Sequence, residues 1–159
     1  MIEAGSSNWR RATADDVVAL RDLERTASRR GLAHVFGDLP YPDDDVLARW
    51  ALLLDDPSVM VEVVEDGPGG EGGLVALAAH DGDSLRHLAM RPDHWSAGLG
   101  REGFRRAEHA GARRLWVLEL NTRARALYES FGWTPSGDRQ ECPWPPYPTE
   151  LEYAAPAAP

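Results

Sequence analysis

The chain has 159 residues, of which 43% are hydrophobic and 27% are charged, as is typical of a soluble globular protein with a buried core. This length predicts a single domain over residues 1–159, with an ordered core at 8–154 and a frayed tail at 155–159. All 17 basic residues are arginine, which excludes phosphate-loop NTPases and Schiff-base enzymes that need a lysine. The single cysteine, Cys142, excludes an intramolecular disulfide and a zinc site built from several thiolates.

The net charge is −9, because 26 acidic residues outnumber the arginines. This sign argues against nucleic acid as a partner, since phosphate backbones are bound by basic surfaces. A small cationic partner such as an amine would fit the field, although the same charge could simply keep the protein soluble. The residues after Met1 show neither the basic start nor the apolar segment typical of a signal peptide, and no apolar run approaches the about 20 residues of a membrane span. These features predict a cytoplasmic protein with no membrane partner.

The N-terminal part of the chain is predicted to form a short strand and two helices. Residues 9–13 favour the strand, and Thr13 can cap a helix that ends at Gly31. The apolar residues of this helix recur at helical spacing: Val17, Leu20, Leu23 and Ala27. An aromatic-rich loop at 32–42 follows, and the acidic triplet 43–45 then begins a second helix.

The middle of the chain is predicted to form a three-stranded antiparallel meander. β-Branched and alternating residues favour strands at 59–64, 74–79 and 85–90. The glycine-rich segment 66–73 lacks the spacing and the following helix of a phosphate loop, so it is interpreted as a hairpin connection.

The C-terminal half follows a strand–helix–strand pattern. A helix at 98–110 and a strand at 115–120 form a crossover, which makes the strands on either side of the helix parallel. A helix at 121–131 and two strands within 133–153, on either side of the proline-rich turn 143–148, complete the chain. The elements together indicate an α/β fold with a mixed, mostly antiparallel central sheet and flanking helices.

The segment 90–100 joins a predicted strand to a helix through a turn with two glycines. Free N–H groups at a helix start suit a pyrophosphate, and Gly98 and Gly100 would let a ligand approach the backbone. Three arginines that could add charge for phosphates follow: Arg101, Arg105 and Arg106. The glycines would equally allow tight packing of a helix on a strand, and the pair alone is a weak nucleotide signal.

A second motif lies in the last predicted helix and the residues just after it. The pattern Asn-x-x-Ala-x-x-Leu-Tyr-x-x-x-Gly-aromatic covers residues 121–133. Together with the turn at 95–100 and the order of elements, it resembles the GCN5-related N-acetyltransferase (GNAT) family over nearly the whole chain. The resemblance implies a GNAT-like fold and an enzyme that uses acetyl-CoA as its co-substrate.

The resemblance also implies which residues hold acetyl-CoA. Backbone N–H groups of the turn would bind the pyrophosphate, and the strand at 88–90 would pair with the pantetheine arm like an added strand. The residues implied are Leu88, Ala89, Met90, Trp95, Ser96, Ala97, Gly98, Leu99, Gly100, Arg101, Asn121 and Ala124. Trp95 stands where the family usually has Arg or Gln, which removes a side-chain donor but leaves the backbone N–H groups.

Candidate catalytic residues come from the same resemblance. Tyr128 matches the tyrosine that commonly protonates the CoA thiolate, although a core tyrosine on an apolar helix face would look the same. Many family members place a basic glutamate where this chain has Ser84, so the general base is open between Asp83, His87 and Glu119. The five histidines show no metal-ligand spacing, and no metal site is predicted.

The predicted reaction is direct attack of a small-molecule primary amine on acetyl-CoA in a ternary complex, with no acyl-enzyme. Backbone N–H groups near Met90 would stabilise the oxyanion. A non-catalytic acyl-CoA-binding or sensing module and a protein N-terminal acetyltransferase stay open as alternatives. The aromatic loop at 32–41 favours a partly closed pocket over the open groove that a peptide needs. Trp144 and Tyr147 could cover a partner surface in a homodimer.

Overall fold

The structure, a computed structural model, describes residues 7–157. Residues 1–6, where a signal peptide would begin, and residues 158–159 of the predicted tail lie outside the described part. The helices are α1 (Val17–Gly31), α2 (Ala33–Phe36), α3 (Asp43–Asp55), α4 (Leu99–His109) and α5 (Thr122–Ser130). The strands are β1 (Trp9–Arg11), β2 (Met60–Glu65), β3 (Leu74–His80), β4 (Ser84–Met90), β5 (Arg114–Leu118), β6 (Thr134–Glu141) and β7 (Thr149–Ala154).

The strands form a seven-stranded sheet in the order β1-β2-β3-β4-β5-β7-β6. Neighbouring strands are antiparallel, except β4 and β5, which the α4 crossover makes parallel. The predicted fold class, a mixed and mostly antiparallel sheet with flanking helices, is therefore confirmed.

The parallel strands β4 and β5 are paired only where they begin. Their register joins Ser84 to Arg114 and Leu85 to Leu115 and then stops. On its other edge, β5 pairs along its full length with β7. Residues 86–90 of β4 consequently have an edge without a neighbouring strand, and a gap opens between β4 and β5.

Two apolar clusters pack on the sheet and fix the helices. The first buries Leu20 of α1 and Trp50 of α3 against residues of β2 and β3. The second buries Phe104 of α4 and Tyr128 of α5 against Leu115 and other residues of β5 and β7. Burying these apolar side chains is the main favourable contribution to folding, and it orients α5 toward the gap.

The element boundaries differ from the predicted ones in a few places. The loop predicted at 32–42 contains the short helix α2. The strand predicted to reach residue 120 ends at Leu118, whose carbonyl oxygen accepts from the N–H of Asn121 as the chain turns. The start of the predicted tail is bound to the sheet, because the N–H of Ala155 donates to the carbonyl oxygen of Arg113. Within residues 7–157, no helix has the length and apolar character that crossing a bilayer requires.

Candidate functional site

A cavity of about 800 Å³ lies at the gap between β4 and β5. Its walls come from α1, the segment around α2, β4, the turn before α4, α5 and the β6–β7 connection. The cavity thus joins the predicted cofactor turn to the aromatic loop that was predicted to cover a pocket.

Most of the predicted cofactor residues lie in this cavity. Its lining includes Leu88, Ala89, Met90, Trp95, Ser96, Gly98, Gly100, Arg101, Asn121 and Ala124. Ala97 and Leu99 are not part of the lining. Leu99 is 3% exposed, because its side chain packs in a third apolar cluster with Val75 and Ala76 of β3. Only the backbone of Leu99 could therefore face a ligand.

The free edge of β4 directs backbone groups into the gap. The N–H of Arg91 donates to the carbonyl oxygen of Val75 on β3, so Arg91 and Ala89 direct their backbone groups toward β3. Because the backbone N–H and C=O groups of successive strand residues alternate between the two edges, those of Leu88 and Met90 face the opposite side, toward the gap. The carbonyl oxygen of Met90 accepts a hydrogen bond from Trp95 Nε1 at 2.9 Å. The peptide groups of Leu88 have no strand partner on that side and can pair with an extended ligand.

The turn before α4 ends at Gly98, whose φ of +81° is in the left-handed region that favours glycine. The first hydrogen bond of α4 runs from the N–H of Glu102 to the carbonyl oxygen of Gly98. Helix geometry therefore leaves the N–H groups of the preceding three residues without intrahelical acceptors. A β-carbon at Gly98 would meet nothing within 4 Å, whereas one at Gly100 would lie 2.8 Å from Met90 Cε. A side chain at Gly100 would displace the end of the Met90 side chain, whereas glycine at position 98 is favoured by the backbone conformation.

The arginines near the turn have different surroundings. Arg101 lines the cavity, with its Cζ 4.4 Å from the ring centroid of Phe131. Arg106 is turned away and forms an ion pair with Glu62 of β2 at 2.5 Å, so it is not available for a phosphate as predicted. Arg123, which the sequence analysis did not single out, lines the cavity with its Cζ 4.0 Å from the ring centroid of Trp95.

Tyr128 lines the cavity from the α5 side. Its ring packs on Phe104 and Tyr153, at centroid distances of 5.4 and 6.1 Å. Burial raises the pKa of the Tyr128 phenol, so the group keeps its proton at neutral pH. Within the described residues the hydroxyl has no hydrogen-bond partner, and its proton is available to a bound molecule.

The three candidate bases lie in different places. His87 lines the cavity, but burial and the nearby cations of Arg49 and Arg86 lower its pKa to about 3. Such a group accepts a proton weakly. Glu119 was predicted to lie beside the gap, yet it is not in the cavity lining and its carboxylate pairs with Arg139 of β6 at 3.2 Å. Asp83 pairs with Arg114 at 2.6 Å, near the start of β4, and is also outside the lining.

Four side chains at the α1–α3 end of the cavity, hereafter the Arg49 cluster, were missed by the sequence analysis: Glu24, Tyr41, Arg49 and Trp50. Trp50 Nε1 donates to Glu24 Oε1 at 3.0 Å, the Tyr41 hydroxyl donates to Glu24 Oε2 at 3.2 Å, and Arg49 Nη2 also donates to Glu24 Oε1. The available signal was position, since Glu24 and Arg49 lie on the apolar faces of their helices, four residues after Leu20 and three after Val46.

Cys142 also lines the cavity, and burial raises the pKa of its thiol. A protonated thiol is a poor nucleophile, so this environment favours packing over acyl transfer through the cysteine. Among residues 7–157, no three His, Cys, Asp or Glu side chains are grouped so that they could hold a metal ion.

Comparison with protein families agrees with this geometry. Residues 57–135, which contain the turn and the whole downstream motif, match the family model described as an acetyltransferase (GNAT) domain. The chain contains a GNAT acetyltransferase domain. The resemblance recognised from the two motifs is confirmed, and it implies acetyl transfer that depends on acetyl-CoA. No curated protein sequence matches the chain significantly.

Solved structures share the fold of this GNAT chain. An acetyltransferase from Thermus thermophilus is 22% identical, with a TM-score of 0.66 over 94% of this chain and 96% of that one. The ribosomal-protein-S18-alanine N-acetyltransferase from Escherichia coli is 20% identical, with a TM-score of 0.62 over 96% and 94%. A PaiA N-acetyltransferase from Thermoplasma acidophilum, in complex with coenzyme A, is 13% identical, with a TM-score of 0.61 over 92% and 98%.

Proposed function

We propose that this protein transfers the acetyl group of acetyl-CoA to the primary amine of a small molecule. The observation that supports this proposal best is the composition of the cavity between β4 and β5. It contains a free strand edge, a helix start with unpaired N–H groups and the phenol of Tyr128. These are the groups needed to hold a thioester and to manage one proton.

The proposed cofactor site extends from the turn to the strand edge. The free N–H groups at the start of α4 would bind the pyrophosphate, helped by the positive end of the helix dipole. Arg101 and Arg123 would add charge for the phosphates. The peptide groups of Leu88 would pair with the pantetheine arm, with Asn121 and Ala124 on the opposite wall of the cavity.

The proposed reaction has one bond-forming step and one bond-breaking step. The unprotonated amine attacks the thioester carbonyl carbon, and backbone N–H groups of Leu88 or Met90 stabilise the oxyanion. The C–S bond then breaks, and the CoA thiolate takes a proton from the Tyr128 phenol. The amine loses its own proton to water, since the low pKa of His87 makes that side chain a weak acceptor. The Tyr128 phenolate takes a proton back from water, which restores the phenol for the next turnover. The products are the amide and the free CoA thiol.

A small acceptor is favoured by the closed side of the cavity. His34 Nε2 lies 2.7 Å from the carbonyl oxygen of Leu120, which links the α2 region to the end of β5. The contact holds the α2 region in place, and Ala33 and Phe36 of that region line the cavity. A folded protein with an extended terminus would need a groove that is open here.

The test is an acceptor screen in which release of the free CoA thiol is measured. Polyamines, amino acids, aminoglycosides and short peptides are each incubated with acetyl-CoA and the protein, with Tyr128→Phe as the matched control. Release with a small amine supports the proposal. Release with peptides alone would favour a protein N-terminal acetyltransferase. Tight CoA binding without release for any acceptor would favour a non-catalytic module.

A further inference from the structure

The Arg49 cluster lies at the α1–α3 end of the cavity and has no part in the proposed transfer step. Glu24 and Arg49 are about three-quarters buried, with exposed side-chain fractions of 22% and 26%. Both line the cavity together with Tyr41 and His87. A charged group is costly to bury without hydrogen-bond partners. The donors and acceptors of the cluster that have no partner within the protein therefore indicate which kind of group it can bind.

Both carboxylate oxygens of Glu24 accept hydrogen bonds from other side chains of the protein. Its Oε1 accepts from Trp50 Nε1 and Arg49 Nη2, and its Oε2 accepts from the Tyr41 hydroxyl. The carboxylate therefore has three donors from the protein and an adjacent cation. It is poorly suited to act as the main counter-ion of a bound ammonium group.

The donor capacity of Arg49 is only partly used. A guanidinium has five N–H donors, and Arg49 directs Nη2 to Glu24. Its Nε is fully buried and has no hydrogen-bond partner among residues 7–157. The Arg49 Cζ lies 5.2 Å from the ring centroid of Trp50, which restricts the guanidinium plane. Because Nε is enclosed, the donors that can reach a bound molecule are those of Nη1, which donates to no residue within 7–157, on a guanidinium that lines the cavity and is paired with Glu24.

Strand β4 places no acidic side chain beside Arg49 that would compete with a bound anion for its N–H donors. The nearest side chain of that strand is His87, whose ring centroid lies 5.1 Å from that of Trp50. His87 is neutral at pH 7, since its pKa is lowered to about 3. The neighbouring wall of the cavity is apolar and includes Leu32, Phe36 and Leu39.

We propose that the acceptor amine also carries a carboxylate, and that Arg49 binds this carboxylate. The proposal rests on the proposed acetyl transfer and names the class of its acceptor: an α-amino acid with an apolar side chain. The carboxylate accepts from the spare N–H groups of Arg49, the side chain packs on the apolar wall, and the amine faces the edge of β4. This class differs from the purely cationic partner that the net charge of −9 favours.

The distances along β4 suit a short spacing between amine and carboxylate. His87, beside the cluster, is one residue from Leu88 and three from Met90, whose peptide groups face the gap, and these separations along a strand are about 3 and 10 Å. An α-amino acid with a hydrogen bond at each end bridges a distance of this order. A long polyamine has no acceptor group for the spare N–H donors of Arg49.

The experiment compares amino acids with the amines that lack only the carboxylate. The pairs are L-leucine with isoamylamine and L-phenylalanine with phenethylamine, and CoA release gives kcat and KM for each. For the wild type we expect a KM at least about tenfold lower for the amino acid of each pair, as expected for a charge-assisted hydrogen bond. Arg49→Met should remove this difference by raising the KM of the amino acids and leaving that of the amines.

Arg49→Lys and Arg139→Met are the companion variants. Lysine keeps the charge but loses the planar fork, so it should retain part of the preference even if Arg49→Met does not fold. Arg139 is an exposed arginine outside the cavity lining, and its variant should behave as wild type. Equal KM values within each pair, or a preference for the amines, would overturn the carboxylate site and leave acetyl transfer intact.

A binding measurement separates this inference from the proposed function. N-acetyl-leucine and N-isoamylacetamide, the two products, are titrated into the wild type and into Arg49→Lys in the presence of CoA. Tighter binding of N-acetyl-leucine by the wild type supports the site even if no acceptor releases CoA, in which case only the transfer proposal fails. Equal binding of the two amides would contradict the carboxylate site.

Discussion

Trp95 Nε1 donates a hydrogen bond to the carbonyl oxygen of Met90 at 2.9 Å, and so ties the cofactor turn to the end of β4. The same ring lies close to α1, where a β-carbon added to Gly31 would be 3.5 Å from Trp95 Cη2. It also carries the Arg123 guanidinium at 4.0 Å. Where the family usually has Arg or Gln, this indole joins three elements at the cavity.

Replacing Trp95 with phenylalanine should test this role. Trp95→Phe removes the donor and keeps an aromatic ring, so the free energy of unfolding should fall by about 1 kcal/mol. The affinity for acetyl-CoA should change by less than about fivefold, because the backbone N–H groups of the turn stay in place. Urea unfolding and calorimetry measure the two quantities, with Trp116→Phe on the surface as the control. Unchanged stability combined with a large loss of affinity would show that the indole contacts the cofactor instead.

A side chain at Gly98 should block acetyl-CoA. Asparagine tolerates a left-handed backbone, so Gly98→Asn should fold well, whereas Gly98→Val should lose about 1–2 kcal/mol of stability. Both should bind acetyl-CoA at least about tenfold more weakly, because the side chain enters the open space in front of the helix start. Gly137→Asn is the matched control, since Gly137 also has a positive φ and no neighbour within 4 Å. Wild-type affinity in Gly98→Asn would place the cofactor elsewhere.

The low pKa of His87 predicts a loss of stability in acid. The unfolded chain takes up a proton at this residue below pH 6.5, whereas the folded protein does so only near its pKa of about 3. Above pH 6.5 the neutral His87 costs the folded protein nothing. As the pH falls from 6.5 toward 3, the free energy of unfolding decreases by up to about 1.4 kcal/mol per pH unit. His87→Phe keeps a ring beside Trp50 and removes the pH dependence of stability that His87 causes. Urea unfolding at pH 7, 6 and 5 should therefore show a steeper decline for the wild type, and parallel declines would refute the shifted pKa.

Local sequence patterns were sufficient to predict most of the fold. Helical spacing identified α1, α3 and α5, β-branched residues identified β2, and the turn residues between the strands delimited β3 and β4. The glycine after α4 was equally informative, because Gly111 has a φ of +109° that other residues rarely adopt. These features depend on neighbours along the chain, which a sequence displays directly.

Long-range pairing explains what the sequence did not predict. Glu119 was expected beside the gap, but the β6–β7 hairpin brings Arg139 next to its carboxylate. The register of that hairpin depends on a long proline-rich connection with no local rule for its geometry. The Arg49 cluster likewise requires α1 and α3 to pack together, so the position of Glu24 and Arg49 on apolar helix faces did not show that they pair with each other.

The central claim is that Tyr128 protonates the CoA thiolate in a transfer from acetyl-CoA. Tyr128→Phe keeps the packing on Phe104 and removes only the hydroxyl. The most direct measurement is single-turnover CoA release by this variant and by wild type, with acetyl-CoA affinity from calorimetry beside it. The account predicts a rate lower by about 10²-fold or more, with unchanged affinity and melting temperature. A full single-turnover rate in Tyr128→Phe would contradict it and make the tyrosine a packing residue.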